Sequence, residues 1–247
     1  MNAGFELERP RDLSTLLNDA FQLYRSRAGT FLAISAAFVV PVELIVSGLG
    51  LEQLTAPYDE SPPAAETAVP AAVSFLVVAP LVTATCIHAL RELATGATPR
   101  AGPAIQAGLD AFTPLFFAIL LAAAGILLGL LALIVPGLYL AVRWFFVPQT
   151  VVLDGARGAG ALTRSGELVQ GFWWRTLGIV AVANLVAAVP GLLLVGPLNA
   201  LADSTDRAWP QLLGETAAQI VTTPFVALIS TLLYFDLRAR RAAAEGR

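Results

Sequence analysis

The chain has no lysine, and it has only one cysteine, one histidine and one methionine among its 247 residues. All fifteen basic residues are therefore arginine, which excludes sites that need an ε-amine, such as a phosphate-loop lysine or a Schiff base. Cys86 cannot form an internal disulfide, and with His88 it supplies too few ligands for a structural zinc site. The sequence thus predicts no cofactor and no metal.

Charge is also scarce, since only 13% of the residues are charged whereas 57% are hydrophobic. In soluble domains, about 25% of the residues are charged and about 45–50% are apolar. The net charge of -3 gives no reason to expect a nucleic-acid partner. Several apolar runs exceed the ~18 residues that indicate a bilayer span, so most of the chain is expected to contact membrane lipid.

These runs predict an all-α, polytopic membrane helical bundle of about six transmembrane helices. One run, residues 113–153, is too long for a single crossing, and Pro136-Gly137 near its middle divides it in two. The alternative is one strongly tilted, kinked helix. The expected spans are residues 29–51, 69–93, 114–135, 138–153, 173–197 and 212–235.

The arginines predict the orientation, because short cytoplasmic loops are enriched in Lys and Arg. With six spans and a cytoplasmic amino terminus, only Arg207 falls outside and Arg143 falls within a span, while thirteen arginines lie inside. The expected protein is multi-pass in the cell membrane with both termini cytoplasmic. The predicted parts are a cytoplasmic amphipathic segment (1–28), the transmembrane domain (29–237) and a basic cytoplasmic tail (238–247). The first 28 residues lack a signal-peptide pattern, so the first span is expected to remain.

Amphipathic segments precede each odd-numbered span, most clearly Leu13, Leu16, Leu17, Phe21 and Tyr24. Such interfacial helices can lie in the plane of the lipid headgroups. Prolines recur near each span, which suggests three related units, each an interfacial helix followed by a two-helix hairpin. The alternative is that prolines are simply common in membrane helices.

Two ionisable side chains, Glu43 and Arg143, fall at similar depths within spans, about 9–12 Å below the outer surface. An ionisable group at that depth needs a partner. We expect the two to form an ion pair between the first and fourth spans, with Gln219 sharing hydrogen bonds. The pair would fix helix packing, or it would form a substrate or proton site; alternatively, Arg143 extends to the headgroups.

Other polar side chains are expected to have structural roles. His88 lies near the cytoplasmic end of the second span, where water is accessible. Asn184, Gln149 and the pair Thr222-Thr223 are expected to bond backbone or neighbouring helices. Gly125 and Gly129 form a GxxxG that permits close helix approach. Motifs of catalytic triads and zinc hydrolases are missing, so no catalytic residue and no enzymatic activity is expected.

Several motifs resemble the glycerophosphoryl diester phosphodiesterase membrane-domain proteins. They are Leu16–Arg25, the run Pro136-Gly137-Leu138-Tyr139 to Arg143-Trp144 with Pro148, Leu162–Ser165 with Gly171 and Trp173-Trp174, and the end Tyr234-Phe235-Asp236-Leu237-Arg238. The resemblance implies a six-helix bacterial inner-membrane domain of largely undefined role. Some relatives carry a soluble phosphodiesterase domain, for which this chain has no room, so no catalytic activity is implied.

The leading hypothesis is a non-enzymatic membrane protein in envelope or membrane-lipid organisation, with protein partners possible at its cytoplasmic face. The alternatives are a transporter of a small or lipid-like solute, with a cavity near Glu43 and Arg143, and an intramembrane lipid-modifying enzyme. A filled bundle with a dry ion pair would favour the first, a deep polar cavity the second, and convergent titratable groups the third. The sequence gives no oligomeric state.

Overall fold

The computed structural model describes residues 7–46, 56–59 and 63–245, with residues 64–67 and 245 described by their backbone alone. The end of the predicted first span, much of the outer loop at 52–67 and Arg247 of the basic tail lie outside the described side chains. Within the described residues the chain is helical, without strands. The elements are α1 (Leu13–Ser26), α2 (Ala28–Val46), α3 (Ala64–Val73), a π-helical turn (Ser74–Val78), α4 (Ala79–Ala94), α5 (Ala101–Asp110), α6 (Phe112–Ala132), α7 (Ile134–Arg143), α8 (Val147–Asp154), α9 (Ala159–Val169), α10 (Trp173–Thr205) and α11 (Trp209–Glu245).

Six helical segments in the described residues are long and apolar enough to cross a membrane, which confirms the predicted polytopic helical bundle. Each is preceded, along the chain, by an amphipathic helix or joined to the previous segment in a hairpin. The segments are Ala28–Val46, Ala68–Ala94, Phe112–Ala132, Ile134–Asp154, Trp173–Thr205 and Trp209–Ala244.

The third and fourth segments are separate, as predicted, but the break falls at Leu133 instead of Pro136-Gly137. Leu133 has extended backbone angles, φ -166° and ψ 150°. Pro136 instead occupies the first turn of α7, where its missing N–H breaks no helical hydrogen bond. Gly137 allows close packing, because a Cβ there would lie 2.7 Å from the backbone nitrogen of Leu130.

Helix α11 lies at the centre of the bundle, where it packs against α1, α2, α4, α9 and α10. Every residue from Pro224 to Leu237 except Val226 is buried. Most of this stretch is apolar on every side, as expected for a helix that other helices surround. The carboxyl-terminal half of α11 therefore forms the axis of an enclosed core.

Helix α1 packs along α11 and antiparallel to it. The main-chain N–H of Arg11, just before α1, bonds Asp236, whereas the hydroxyl of Tyr24 near its end donates to the carbonyl of Val221. Those two contacts are about 22 Å apart along α11. Helix α1 is amphipathic as predicted. Leu16 on its apolar face is buried against protein. The position of α1 relative to the headgroups stays a prediction.

The other two amphipathic segments also contact protein. Helix α5 packs beside α4 so closely that a Cβ on Gly108 would overlap the Thr85 hydroxyl. Helix α9 packs against α6, α7 and α8, and its Ser165 hydroxyl accepts a bond from the N–H of Phe146 at 3.1 Å. The three amphipathic helices thus enclose the bundle at the end that contains both termini.

The opposite end of the bundle is more open. Large hydrophobic side chains are exposed along the second half of α6, at the α6–α7 junction and along the second half of α10. Leu131 and Val135, for example, are each 76% exposed. In a bilayer these surfaces face lipid.

Candidate functional site: an intramembrane cavity

The predicted ion pair between Glu43 and Arg143 is not formed. The Arg143 guanidinium donates to the Tyr139 hydroxyl at 3.1 Å and contacts Gly166 of α9. Glu43 lies within electrostatic range of Glu215 on α11. Helix α2 packs on α4, α5 and α11, whereas α7 packs on α6, α9 and α10. Similar depth along the chain therefore did not make these helices neighbours.

Gln219, the third predicted site residue, holds two spans together. Its Nε2 donates to the Ser74 hydroxyl at 3.0 Å. Ser74 begins the π-helical turn that interrupts the second span. Single-turn π-helices inside α-helices frequently occur at functional sites. The three candidates Glu43, Arg143 and Gln219 are thus not brought together, but Gln219 fixes a π-helical turn that borders a cavity.

A cavity of about 670 Å³ lies among the middle parts of the spans. Its wall is formed by the π-helical turn and α4, by α6, α7 and α8, and by α10 and α11. The volume falls within the range of about 300–1,000 Å³ that is typical of small-molecule sites. The residues that line it are Phe75, Ala79, Pro80, Thr83, Ile119, Ala122, Ile126, Ala141, Trp144, Phe145, Val147, Pro148, Gln149, Asn184, Ala187, Ala188, Gly191, Thr222, Thr223, Val226, Ala227 and Ser230.

Every lining side chain is uncharged. The wall is mainly aliphatic and aromatic, with two amides, Gln149 and Asn184, and a few hydroxyls. Most of these polar groups already have helix partners: Asn184 Nδ2 donates to the Val180 carbonyl at 2.8 Å and Thr222 to the Ala218 carbonyl at 2.8 Å. The cavity therefore suits an apolar ligand with few polar atoms.

Gln149 is the exception among these polar groups. Its Nε2 donates to the Ser230 hydroxyl at 2.9 Å, but its Oε1 is buried and has no hydrogen-bond partner within the described structure. The side chain is only 1% exposed. A buried polar atom without a partner is unfavourable, so native structures contain few of them and each needs an explanation.

The local sequence explains how this wall is built. After α7 ends at Arg143, residues 144–146 form a turn, and Pro148 lies in the first turn of α8, where proline is well tolerated. The turn places Trp144 against α6, where a Cβ on Gly125 would lie 2.5 Å from its ring. Gly129 packs against Gly137 in the same way. The predicted GxxxG close approach is thus present, and it occurs inside this chain, between α6 and α7.

A second polar site lies at the closed end of the bundle. The Asp236 carboxylate is fully buried and accepts bonds from the N–H of Arg11 at 2.6 Å, from Arg240 Nε at 2.9 Å and from Arg175 Nη2 at 3.1 Å. We call Asp236 with Arg11, Arg175 and Arg240 the Asp236 cluster. Both guanidinium groups, of Arg175 and Arg240, also donate to the Arg11 carbonyl. Arg175 also donates through Nε at 3.2 Å, so four N–H groups of three residues bond the carboxylate and saturate this site.

The Arg11 side chain is also unusual, because it is only 2% exposed. Burial lowers the pKa of its guanidinium, whereas the hydrogen bond to Asp19 at 2.9 Å favours the charged form. Its Nη1 donates to the Leu7 carbonyl at 2.7 Å. These bonds fold residues 7–11 back over α1, so the cluster ties the amino-terminal segment to the end of α11. Both ends of the described chain lie on the same side of the bundle.

His88 lies in a smaller groove between α4 and α5, beside Arg91 and Glu92. Among the residues that the structure describes, no group of three or more His, Cys, Asp or Glu side chains could hold a metal ion. His88 is half-buried and its neighbours are a base and an acid that face solvent. The groove has a volume of about 300 Å³, less than half that of the cavity, and we retain the cavity as the candidate site.

Sequence reasoning missed the cavity and the Asp236 cluster in different ways. The sequence predicted structural partners for Gln149, Asn184 and Thr222. This is correct for Asn184 and Thr222. For Gln149 it is correct for Nε2 but not for Oε1, which has no partner. A signal for Asp236 was present, since a lone acid stands at the end of a long apolar run and before Arg238, Arg240 and Arg241. Its partners at Arg11 and Arg175 are far away in sequence and could not be read from spacing.

The chain was also compared with protein-family models, with curated proteins and with solved structures, and none of the three comparisons found a match. The functional assignment therefore depends on the residues and their geometry.

Proposed function

We propose that this chain is a non-enzymatic, multi-pass membrane protein that binds an uncharged, lipid-like molecule within the bilayer. The observation that carries this proposal is the cavity of about 670 Å³, whose lining contains no charged residue among those that the structure describes. Such binding is the form that we propose for a role in membrane-lipid organisation. The likeness to the glycerophosphoryl diester phosphodiesterase membrane-domain family remains a proposal based on the sequence motifs.

The uncharged lining supports an uncharged ligand. Transfer of a charge into a low-dielectric site has a large desolvation free energy. A few neutral dipoles do not offset it, whereas an opposite charge or a metal ion can. Glu43 and Arg143 do not line the cavity. A charged solute would thus lack a counterion there, whereas an aliphatic chain would contact Ile119, Ile126 and Val226 favourably.

Close packing at the closed end of the bundle favours binding over transport. Toward the termini, the residues beyond Gln149 and Ser230 are closely packed: Phe146 is fully buried and its ring contacts that of Tyr234, which is 2% exposed. The α11 segment that follows is buried up to Leu237. The described residues therefore leave no passage from the cavity through the closed end in this conformation.

The proposed location is the cell membrane, with both termini in the cytoplasm. The closed end contains the Asp236 cluster and the exposed arginines that join the spans, including Arg91, Arg100, Arg157 and Arg164. Arginines concentrate on the cytoplasmic side of short loops. The open end, where large apolar side chains are exposed, would then face the outer leaflet.

The test is photo-cross-linking in lipid nanodiscs with a long-chain alcohol that carries a diazirine on its chain. The wild type should be labelled on cavity residues, and unlabelled alcohol should compete. Ala188→Trp fills the cavity from α10 and should reduce labelling at least fivefold, a loss of roughly 1 kcal/mol in binding. Leu193→Trp is the matched control, since Leu193 is on the same helix, 71% exposed and outside the cavity. Equal labelling of all three proteins, or labelling without competition, would refute the proposal.

A further inference from the structure

Gln149 is the one polar side chain of the cavity wall whose buried amide is only half satisfied. Its position is rigid, because it lies in the first turns of α8 beside Pro148 and its Nε2 is bonded to Ser230 across the interface with α11. The Ser230 hydroxyl in turn donates to the Ala227 carbonyl at 2.9 Å. The amide is thus held at the closed end of the cavity by a chain of two hydrogen bonds.

In the structure, Nε2 is the atom bonded to Ser230 and Oε1 is the atom without a partner. The unpaired group is therefore an acceptor, whereas it would be a donor if the amide were rotated by half a turn.

We propose that Gln149 is the residue that selects the ligand, by accepting a hydrogen bond from a hydroxyl or N–H group at the polar end of an uncharged, long-chain amphiphile. This inference rests on the proposed function of the cavity. The polar end would lie at Gln149 and the chain would extend along Ile126 and Gly191 toward the open end of the bundle, where the lining is apolar. Long-chain alcohols and N–H-bearing amides have this chemistry.

The other polar groups of the wall do not provide an equivalent acceptor at that end. Thr83 and Thr222 donate to carbonyls of their own helices, at 2.7 and 2.8 Å. Asn184 is on α10 and its side chain is bonded to Val180 at 2.8 Å. Only Gln149 combines a deeply buried carbonyl, a fixed orientation and a place in the lining.

The experiment compares two diazirine probes in nanodiscs, a long-chain alcohol and its methyl ether, which has the same chain but no donor. In the wild type, competition should show the alcohol preferred about tenfold, the ratio expected for one hydrogen bond of about 1.4 kcal/mol. Gln149→Met keeps the length of the side chain but removes the amide. It should reduce the alcohol-to-ether ratio to about one while the ether is labelled as before.

Gln106→Met is the matched control, because it is the same substitution at an exposed glutamine on α5 that does not line the cavity. It should retain the preference for the alcohol. Equal competition by the two probes in the wild type would overturn the inference while leaving the proposed function intact, whereas no saturable labelling by either probe would refute the proposed function itself. The wild-type ratio tests the inference even if Gln149→Met does not fold.

Discussion

The side chain of Asp236 accepts a hydrogen bond from the main-chain N–H of Arg11, at 2.6 Å and across 225 residues of sequence. Because the donor is backbone, the bond fixes the path of the amino-terminal segment and not merely the position of one side chain. Arg175 and Arg240 neutralise the carboxylate and also bond the Arg11 carbonyl. One buried acid thus organises the start of α1, the start of α10 and the end of α11.

Asp236→Ala should be among the most destabilising single substitutions in the chain. It leaves two guanidinium groups and a buried N–H without their acceptor, and removal of one partner of a buried ion pair costs about 3–5 kcal/mol. The measurement is the free energy of unfolding in mixed micelles. Asp110→Ala is the control, because Asp110 is exposed, and it should change the free energy by less than about 0.5 kcal/mol. Equal effects of the two substitutions would contradict this role for Asp236.

Gly137→Ala should separate α6 from α7. The added Cβ would overlap the Leu130 side chain and lie 2.7 Å from the Leu130 backbone nitrogen, and the backbone cannot move without shifting the hairpin. Overpacking of this kind costs about 1–3 kcal/mol. Gly178→Ala on α10 meets nothing within 4 Å and should be neutral or stabilising by up to about 1 kcal/mol. Thermal unfolding of both variants measures the difference, and a stable Gly137→Ala protein would show that the close approach is not required.

The sequence predicted the number of spans because that number depends on local apolarity and length, which each stretch of the chain carries by itself. It predicted that Pro136-Gly137 marks a boundary, but not which side of the boundary the pair lies on. Proline is excluded from a helix interior but accepted in a first turn, so the true break lies three residues earlier, at Leu133.

The prediction of an ion pair between Glu43 and Arg143 was wrong for a reason that the periodicity of the sequence does not show. Depth follows from counting residues along a helix, but contact also needs the two helices to be neighbours, and that is decided by packing between distant segments. The cavity could not be predicted for the same reason, since α4, α6, α8, α10 and α11 all contribute to its wall. Gln149 could be recognised as polar in an apolar run, but not as half satisfied.

Tyr24 gives the contact between α1 and α11 a dependence on alkaline pH. Burial raises the pKa of Tyr24 to about 12, with a smaller effect from Cys86, whereas the unfolded value is about 10. The stabilisation by neutral Tyr24 is thus complete below about pH 10 and is lost as the pH rises toward about 12. We expect the melting temperature to fall more steeply between about pH 9.5 and 11.5 in the wild type than in Tyr24→Phe. Tyr139→Phe should keep the steep wild-type fall, and a Tyr24→Phe profile parallel to the wild type would contradict the prediction.

Orientation can be tested with two single cysteines in a Cys86→Ala background. Arg164 is exposed on α9 at the closed end, and Ser204 is exposed near the end of α10 at the open end. If the closed end is cytoplasmic, a membrane-impermeant maleimide should label Ser204→Cys in intact cells and Arg164→Cys only in inverted vesicles, because the bilayer separates the two positions. The Cys86→Ala parent should remain unlabelled in both preparations. The reverse pattern would place the termini outside, and the arginine-rich closed end would then lie on the side of the membrane where such loops are rare.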